Sequence, residues 1–247
     1  MSRRPPDMNT AFPHGALRAA LIDLDGTLMD TAPDIAAATN RLREDFGMTS
    51  LPEARIAQFV GKGVDLLIHR ALTDDINGRV DAERFAQARE SFRRHYSAIN
   101  GSLAVVFDPV PTGLAKLRQA GLRVGCVTNK HSEFTTPLLA RAGLRDLLDV
   151  VVTADEVAHG KPQPDVIFEA CRRLGVSTQE TVLIGDSAND VQAAHAAGSR
   201  CVLVETGYNE GEPVHTLLEG EGGADALFPD FAGATQWALQ AARADMA

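Results

Sequence analysis

Short apolar runs that alternate with longer amphipathic stretches restrict the fold of this 247-residue chain more than any other feature. The amphipathic stretches often stop at a glycine suited to end a helix, as at Gly121, Gly143, Gly175 and Gly198. The apolar runs cover residues 19–24, 122–127, 148–153, 181–185 and 200–204. This alternation is typical of an α/β protein and predicts five parallel strands joined by right-handed helical crossovers.

The spacing of the runs breaks once, between the first and the second. Almost a hundred residues separate them, far more than one crossover needs. The pattern there predicts helices only, over residues 32–46, 52–60, 63–72 and 81–99. Ten Lys and Arg against ten Asp and Glu leave this segment neutral, although the whole chain has a net charge of −9. A neutral helical insert after the first strand predicts a separate cap domain.

These boundaries divide the chain into three parts. We expect a helical cap domain at residues 32–103 and a catalytic core formed by residues 17–31 and 104–247. Residues 1–16 are expected to form a flexible N-terminal extension. They lack the apolar segment of a signal peptide, so we do not interpret them as one.

Composition excludes several classes of partner. The net charge of −9 argues against non-specific binding to nucleic acid, which needs clustered Lys and Arg. No apolar run approaches the length of a membrane span. The cysteines Cys126, Cys171 and Cys201 are odd in number and have no metal-ligand spacing, so we expect reduced thiols in a cytoplasmic protein.

Polar side chains follow three of the predicted strands at the point where each strand ends. They are Asp23 and Asp25, then Thr128 and Asn129, then Asp186 with Asp190 shortly after it. A lone aspartate in such a place most often caps a helix. Parallel strands, however, bring their carboxyl ends to one edge of the sheet, where ligands bind. Three strands that deliver polar groups to one edge predict a site.

The carboxylates among these residues predict a metal ion. Three of them in one crevice would repel each other strongly without a cation. Carboxylate and carbonyl oxygens suit Mg²⁺, which commonly pairs with a substrate phosphate, and no His and Cys cluster offers a zinc site. Aspartate can also act as a covalent nucleophile towards phosphorus.

Four segments resemble the sequence motifs of the haloacid dehalogenase superfamily, in its phosphotransferase branch. Residues 23–28 are similar to its first motif and Thr128 to its second; Lys161 fits the third, and Asp186 with Asp190 the fourth. They occur in the family's order, over nearly the whole chain from about residue 17. The resemblance implies a Rossmann-like parallel sheet core with a small all-helical cap inserted after the first strand.

The same resemblance implies catalytic and metal-binding roles. Asp23 would attack phosphorus to form an aspartyl-phosphate. Asp25 would protonate the leaving oxygen and then activate water. Mg²⁺ would be held by Asp23, Asp186 and the backbone carbonyl of Asp25.

The remaining motif residues would bind the phosphoryl group. Thr128 and the backbone amide of Asn129 would hold its oxygens, and Lys161 would place positive charge where the transition state is negative. Asp190 would orient Lys161 or a metal-bound water.

Further segments resemble the phosphoglycolate phosphatase family within the superfamily. They are residues 30–38, 59–63, 95–96, 100–101, 127–130 and 207–213. Residues 107–109 and a small loop insertion at 219–223 depart from that pattern. The resemblance implies hydrolysis of 2-phosphoglycolate to glycolate and phosphate. Lys62 lies between two glycines of the loop at 60–63, and we expect it to bind the carboxylate of this small phosphorylated acid.

Other functions are compatible with the same motifs. The substrate could be another small phosphate, such as a sugar phosphate or pyrophosphate, and a β-phosphoglucomutase-type phosphotransferase uses the same core. A catalytically silent binding module would lack at least one of Asp23, Asp25, Lys161 or Asp186, and all of these are present. The oligomeric state stays open.

Overall fold

The structure is a computed structural model that describes residues 16–219 and 222–244. The N-terminal extension predicted at residues 1–16 therefore lies outside the described residues, except for residue 16. The loop insertion predicted at residues 219–223 is described only in part.

A six-stranded parallel sheet forms the centre of the fold, and the sequence predicted five of its strands. In chain order the strands of the molecule are β1 Ala19–Ile22, β2 Met29–Asp30, β3 Val105–Val106, β4 Arg123–Thr128, β5 Val150–Thr153, β6 Thr181–Gly185, β7 Arg200–Val204 and β8 Ala226–Phe228. The sheet has the order β5-β4-β1-β6-β7-β8. Strands β4 and β5 therefore lie on one side of β1, and β6, β7 and β8 lie on the other. Ile22 pairs with both Cys126 and Ile184, which places the carboxyl ends of β1, β4 and β6 side by side.

Helices cover both faces of this sheet. The helices of the molecule are α1 Ala32–Asp45, α2 Glu53–Ala57, α3 Val64–Thr73, α4 Ala82–Ile99, α5 Pro109–Gln119, α6 Ser132–Arg141, α7 Asp165–Leu174, α8 Ala188–Ala197 and α9 Phe231–Ala244. Buried side chains of α5, α6 and α9 form one apolar cluster with the sheet, and those of α7 and α8 form a second. The predicted α/β core is therefore confirmed. Among the described residues, no helix combines the length and apolar character needed to cross a membrane.

The prediction of five strands was incomplete. Strand β8 extends the sheet beyond β7, and β2 pairs with β3 in a separate antiparallel ribbon. These strands have only two or three residues, too few to produce a recognisable alternation of apolar and polar side chains.

The segment between β2 and β3 is helical throughout its regular elements. Helices α1 to α4 share an apolar cluster of their own, which also includes Phe134 from α6. Strands β2 and β3 connect the helical segment to the rest of the fold, and they lie side by side because they pair with each other. The buried Asp34 carboxylate strengthens this junction by accepting hydrogen bonds from the amides of Gly101 (2.6 Å) and Leu103 (2.7 Å). The division into core and cap domains stays a prediction.

Candidate active site

The carboxyl edge of the sheet brings the predicted site residues into one crevice beneath the helical segment. Asp23, Asp25, Thr128 and Asn129 line a pocket there. The backbone after β1 turns sharply at Gly26, which has a φ of +89°, and a Cβ at this position would lie 2.8 Å from an Asp186 carboxylate oxygen. The turn that carries Asp25 is therefore compatible only with glycine at position 26.

Asp23 is held in one orientation at the floor of this pocket. Its Oδ1 atom accepts a hydrogen bond from the Leu24 amide (2.7 Å) and contacts the Lys161 ammonium (2.8 Å). Burial raises the pKa of Asp23 to about 7; Lys161 acts in the opposite direction, and the charges of Asp190 and Asp25 add to the rise. In the absence of a further cation, burial and neighbouring charge therefore oppose ionisation of Asp23.

Lys161 is fully enclosed between two carboxylates. Its Nζ lies 2.8 Å from Asp23 Oδ1 and 2.7 Å from Asp190 Oδ1. Burial alone would lower the pKa of Lys161, but the two carboxylates raise it above its usual value. Asp190 is fixed in turn, because its Oδ2 accepts hydrogen bonds from the Ser187 hydroxyl (2.7 Å) and the Ser187 amide (3.1 Å). The structure thus brings Lys161, Asp23 and Asp190 together.

Asp25 belongs to a second charged group. Its carboxylate accepts a hydrogen bond from the Thr31 hydroxyl (2.6 Å) and contacts the Lys130 ammonium at 2.8 and 3.1 Å. Lys130 is buried, and although burial lowers its pKa, the charge of Asp25 raises it overall. The sequence alone assigned Lys130 no role. Its position directly after Thr128 and Asn129, at the end of β4, was the available signal.

Three buried carboxylates form a group that could hold a metal ion. Oxygens of Asp23, Asp186 and Asp190 all lie within 4.8 Å of one another. Burial raises the pKa of Asp186 well above its usual range, and the charges of Asp190 and Asp23 add to this. The Lys161 ammonium offsets only part of this negative charge, so the residues fit a divalent cation bound by oxygen.

Asp186 and Asp190 differ in their capacity to bind that cation. Each Asp186 oxygen accepts one neutral hydrogen bond, from the Thr27 hydroxyl (2.9 Å) and from the Tyr208 amide (3.0 Å). Asp190 instead contacts Lys161 with one oxygen and accepts several donors with the other. The sequence-based ligand set contained Asp186 and the Asp25 carbonyl, whereas the geometric cluster contains Asp190 in place of Asp25.

Asn129 connects parts of the site that are distant in sequence. Its side-chain amide donates to the carbonyls of Gly61 (2.9 Å) and Lys161 (2.7 Å), so it links the loop before α3 to the loop that carries Lys161. The sequence predicted a role only for the Asn129 backbone amide. The Oδ1 atom has no hydrogen-bond partner among the described residues. Thr128, beside it, is buried, and its hydroxyl accepts a hydrogen bond from the Lys130 amide (3.1 Å).

The helical segment supplies apolar walls to the pocket. The lining residues from this segment include Ile35, Val60, Val64, Leu67 and Phe92. Such walls limit the access of water to the charged floor, which strengthens electrostatic interactions there.

Lys62 has a partner outside the pocket. Its neighbours Gly61 and Gly63 line the pocket, but the Lys62 ammonium contacts Glu210 Oε2 at 2.6 Å and its side chain is 39% exposed. Arg70 of α3 contacts the other oxygen of Glu210, also at 2.6 Å. The loop after β7 thus receives two cations from the helical segment. A contact between Lys62 and a substrate carboxylate stays a prediction.

The fold is a parallel α/β sheet that holds Lys161 in an acidic crevice under helices, an arrangement that suits binding of a divalent cation and a phosphate group. Residues 20–204 match the family model described as "Haloacid dehalogenase-like hydrolase", and the chain belongs to this family. The resemblance inferred from the four motifs is therefore confirmed. A catalytically silent module is not supported, because the family and the relatives described next identify an enzyme.

Within this family, the chain is similar to curated relatives that share one name. The chain is 40% identical over 220 residues to "Phosphoglycolate phosphatase" of Nitrosospira multiformis, covering 89% of this chain and 95% of the relative. It is 46% identical over 213 residues to "Phosphoglycolate phosphatase, plasmid" of Cupriavidus necator, covering 86% of this chain and 87% of the relative. The resemblance to phosphoglycolate phosphatases holds over most of both sequences.

Solved structures share the fold over the same extent. A "predicted phosphoglycolate phosphatase" from Haemophilus somnus has a TM-score of 0.81 and 26% identity, covering 90% of this chain and 97% of that one. CbbY from Rhodobacter sphaeroides, solved with phosphate, has a TM-score of 0.71 and 27% identity, covering 87% of this chain and 95% of that one. A second CbbY structure contains xylulose-1,5-bisphosphate.

Proposed function

We propose that this protein hydrolyses 2-phosphoglycolate to glycolate and phosphate through an aspartyl-phosphate on Asp23. The observation that carries this proposal is the Asp23 carboxylate at the floor of the capped pocket, fixed by Lys161 and beside Asp25. The names of the curated relatives support the choice of substrate.

The first chemical step transfers the phosphoryl group to Asp23. An Asp23 carboxylate oxygen forms a bond to phosphorus while the bond from phosphorus to the glycolate oxygen breaks. Asp25 donates a proton to the departing oxygen. The Thr31 hydroxyl and the Lys130 ammonium hold the Asp25 carboxyl in place for this transfer.

The second step restores the enzyme. Asp25 now accepts a proton from a water molecule, whose oxygen attacks phosphorus and releases phosphate from Asp23. The same carboxyl group therefore acts first as an acid and then as a base. Its fixed position relative to Asp23 suits both tasks.

Binding of the phosphoryl oxygens falls to residues at the end of β4 and in the loop before α7. We assign this role to Thr128, the backbone amide of Asn129 and Lys161. Asp190 positions Lys161 through their 2.7 Å contact. Lys161 is desolvated, so its charge acts strongly on the negative charge of the transition state.

The metal in this proposal is Mg²⁺, held by Asp23, Asp186 and the carbonyl of Asp25. When bound, it supplies positive charge that neutralises the phosphoryl oxygens and the surrounding carboxylates. Asp186 is suited to this role because its hydrogen bonds come from neutral donors.

We further propose that residues 32–103 act as a cap that excludes water and selects the substrate. The apolar side chains of the pocket would surround the organic part of a small substrate. The three buried cysteines are free thiols, which supports a cytoplasmic location. The net charge of −9 supports a small-molecule substrate in preference to nucleic acid.

A sugar phosphate is the second candidate substrate, because the structurally similar CbbY has been solved with xylulose-1,5-bisphosphate. Phosphate release from phosphoglycolate, sugar phosphates, sugar bisphosphates and pyrophosphate would separate the candidates. We expect the highest kcat/KM for phosphoglycolate. A higher kcat/KM for a sugar phosphate or pyrophosphate would contradict the proposed substrate, and transfer of phosphate without net release would indicate a mutase.

A further inference from the structure

Tyr96, on helix α4, is a rigid part of the pocket wall. Only 2% of its surface is exposed. Its ring stacks on Phe92 with a centroid distance of 5.3 Å and meets Phe134 edge-on at 4.9 Å. Both neighbouring rings also line the pocket. The Tyr96 ring is therefore held in place before any ligand binds.

The Lys130 ammonium interacts with the oxygen of the Tyr96 hydroxyl, but no described residue accepts a hydrogen bond from this hydroxyl. A buried hydroxyl whose proton has no acceptor is unfavourable, because its O–H group has lost its contacts with water and gained none in return. The other tyrosine, Tyr208, shows the usual situation. Its hydroxyl contacts the Asp30 carboxylate (2.6 Å) and the amides of Thr31 (2.9 Å) and Ala32 (3.1 Å). A buried O–H group without an acceptor in a pocket wall indicates that a ligand supplies the acceptor.

The surroundings of Tyr96 define the chemistry of that ligand. Burial raises the pKa of Tyr96 to about 12, against the effect of the Lys130 ammonium, so the hydroxyl remains a hydrogen-bond donor at neutral pH. The Lys130 ammonium lies 5.1 Å from the ring centroid and contacts both oxygens of Asp25. An ammonium has three donors, so Lys130 can act on a second anion. A donor beside a cation favours a negatively charged acceptor.

We propose that the Tyr96 hydroxyl donates a hydrogen bond to the carboxylate of the substrate and thereby selects acid-tailed phosphate esters. This inference rests on the proposed phosphoglycolate phosphatase activity. Asp23 and Asp25 act on the phosphoryl end of the substrate, and Tyr96 recognises the opposite end. The apolar walls around Tyr96 make this hydrogen bond effective, because water competes poorly there.

The test compares phosphoglycolate with ethyl phosphate, which has a methyl group where phosphoglycolate has its carboxylate. The Tyr96→Phe variant should lower kcat/KM for phosphoglycolate about tenfold more than kcat/KM for ethyl phosphate, the effect of one hydrogen bond. Its melting temperature should stay near the wild-type value or rise, because the substitution removes a buried hydroxyl whose proton has no acceptor in the protein, and Lys130 keeps its contacts with Asp25. Tyr208→Phe is the matched control. It should lower the melting temperature and affect both substrates alike.

Equal losses on the two substrates, or a lower melting temperature for Tyr96→Phe, would overturn the assignment of Tyr96. The proposed function is tested separately by the wild-type protein. If the wild-type protein shows no preference for phosphoglycolate over ethyl phosphate, the proposed function fails. If the wild-type preference is present and Tyr96→Phe leaves it undiminished, only the role of Tyr96 fails.

Discussion

Lys62 could position the loop at residues 60–63 through its contact with Glu210, or it could bind the substrate carboxylate directly. Kinetic measurements on Lys62→Ala can separate these two roles. With side chains 39% and 23% exposed, this ion pair is partly solvated and contributes about 1 kcal/mol or less. Arg70 contacts the same carboxylate, so Glu210 keeps an ion pair with the helical segment when Lys62 is removed. If the pair only positions the loop at residues 60–63, Lys62→Ala should lower kcat/KM about fivefold or less for every substrate.

A direct contact between Lys62 and the substrate carboxylate gives a different result. A charge-assisted hydrogen bond of about 1.5–3 kcal/mol corresponds to a ten- to hundredfold loss. That loss would occur for phosphoglycolate and not for ethyl phosphate. Because the Lys62 ammonium contacts Glu210 and Lys62 is not among the residues that line the pocket, we expect the smaller and unselective loss.

A double-mutant cycle with Glu210→Gln makes the distinction sharper. This variant leaves the buried Arg70 without its carboxylate, so it should be more damaging than Lys62→Ala. In the Glu210→Gln background, Lys62→Ala should have little further effect, because the pair is already broken. Steady-state kinetics with both substrates provide the assay, and Lys116→Ala, an exposed lysine on α5, is the matched control.

Two results would refute this reasoning. A loss confined to phosphoglycolate would support the sequence-based prediction that Lys62 binds the substrate carboxylate. Full additivity of Lys62→Ala and Glu210→Gln would mean that their contact does not position the cap loop.

Three further predictions concern the nucleophile, the metal and the junction of the cap. Asp23→Asn should abolish turnover in a phosphate-release assay while the melting temperature stays near or above the wild-type value, because the amide is close in shape but is not a nucleophile. Asp186→Ala should raise the Mg²⁺ concentration needed for half-maximal activity and weaken Mg²⁺ binding in calorimetry; EDTA should inactivate the native enzyme reversibly, and Ca²⁺ should substitute poorly. Asp34→Ala should lower the free energy of unfolding by about 2–3 kcal/mol in urea denaturation, because the amides of Gly101 and Leu103 lose a charged acceptor.

Each of these predictions has a contradicting result. Retention of more than about a few per cent of the wild-type rate by Asp23→Asn would exclude the covalent mechanism. Activity that survives exhaustive chelation would exclude the metal. An unfolding free energy of Asp34→Ala within about 0.5 kcal/mol of wild type would mean that Gly101 and Leu103 find other acceptors.

The main elements of the fold were predictable because they are long and periodic. Three helices of the inserted segment lie within one residue of the predicted bounds, as α4 at Ala82–Ile99 illustrates, whereas α2 ends at Ala57, three residues before its predicted end. Strands β4 and β6 are buried and lie where their apolar runs indicated. Strands β2, β3 and β8 escaped prediction, because two or three residues carry no period.

Those site residues that lie at the ends of strands or within sequence motifs could be predicted from the sequence. Asp23, Thr128 and Asp186 follow adjacent parallel strands, and the topology of the sheet brings them together. Lys130 was missed, because only the folded chain places its ammonium on the Asp25 carboxylate. The link from the Asn129 side chain to Gly61 was missed for the same reason, since it joins residues that lie 68 positions apart.

The sequence by itself determined the parallel sheet, the helical insert and the identity of the acidic residues and the lysine, because these follow from periodicity and from short local motifs. Tertiary structure alone decided which charges pair and which buried hydroxyl is left without an acceptor. Lys62 contacts Glu210, and the buried Tyr96 hydroxyl lies beside Lys130 without an acceptor for its proton. Such pairings depend on distances between elements that are remote along the chain. They also depend on the exclusion of water between those elements, which no local pattern encodes.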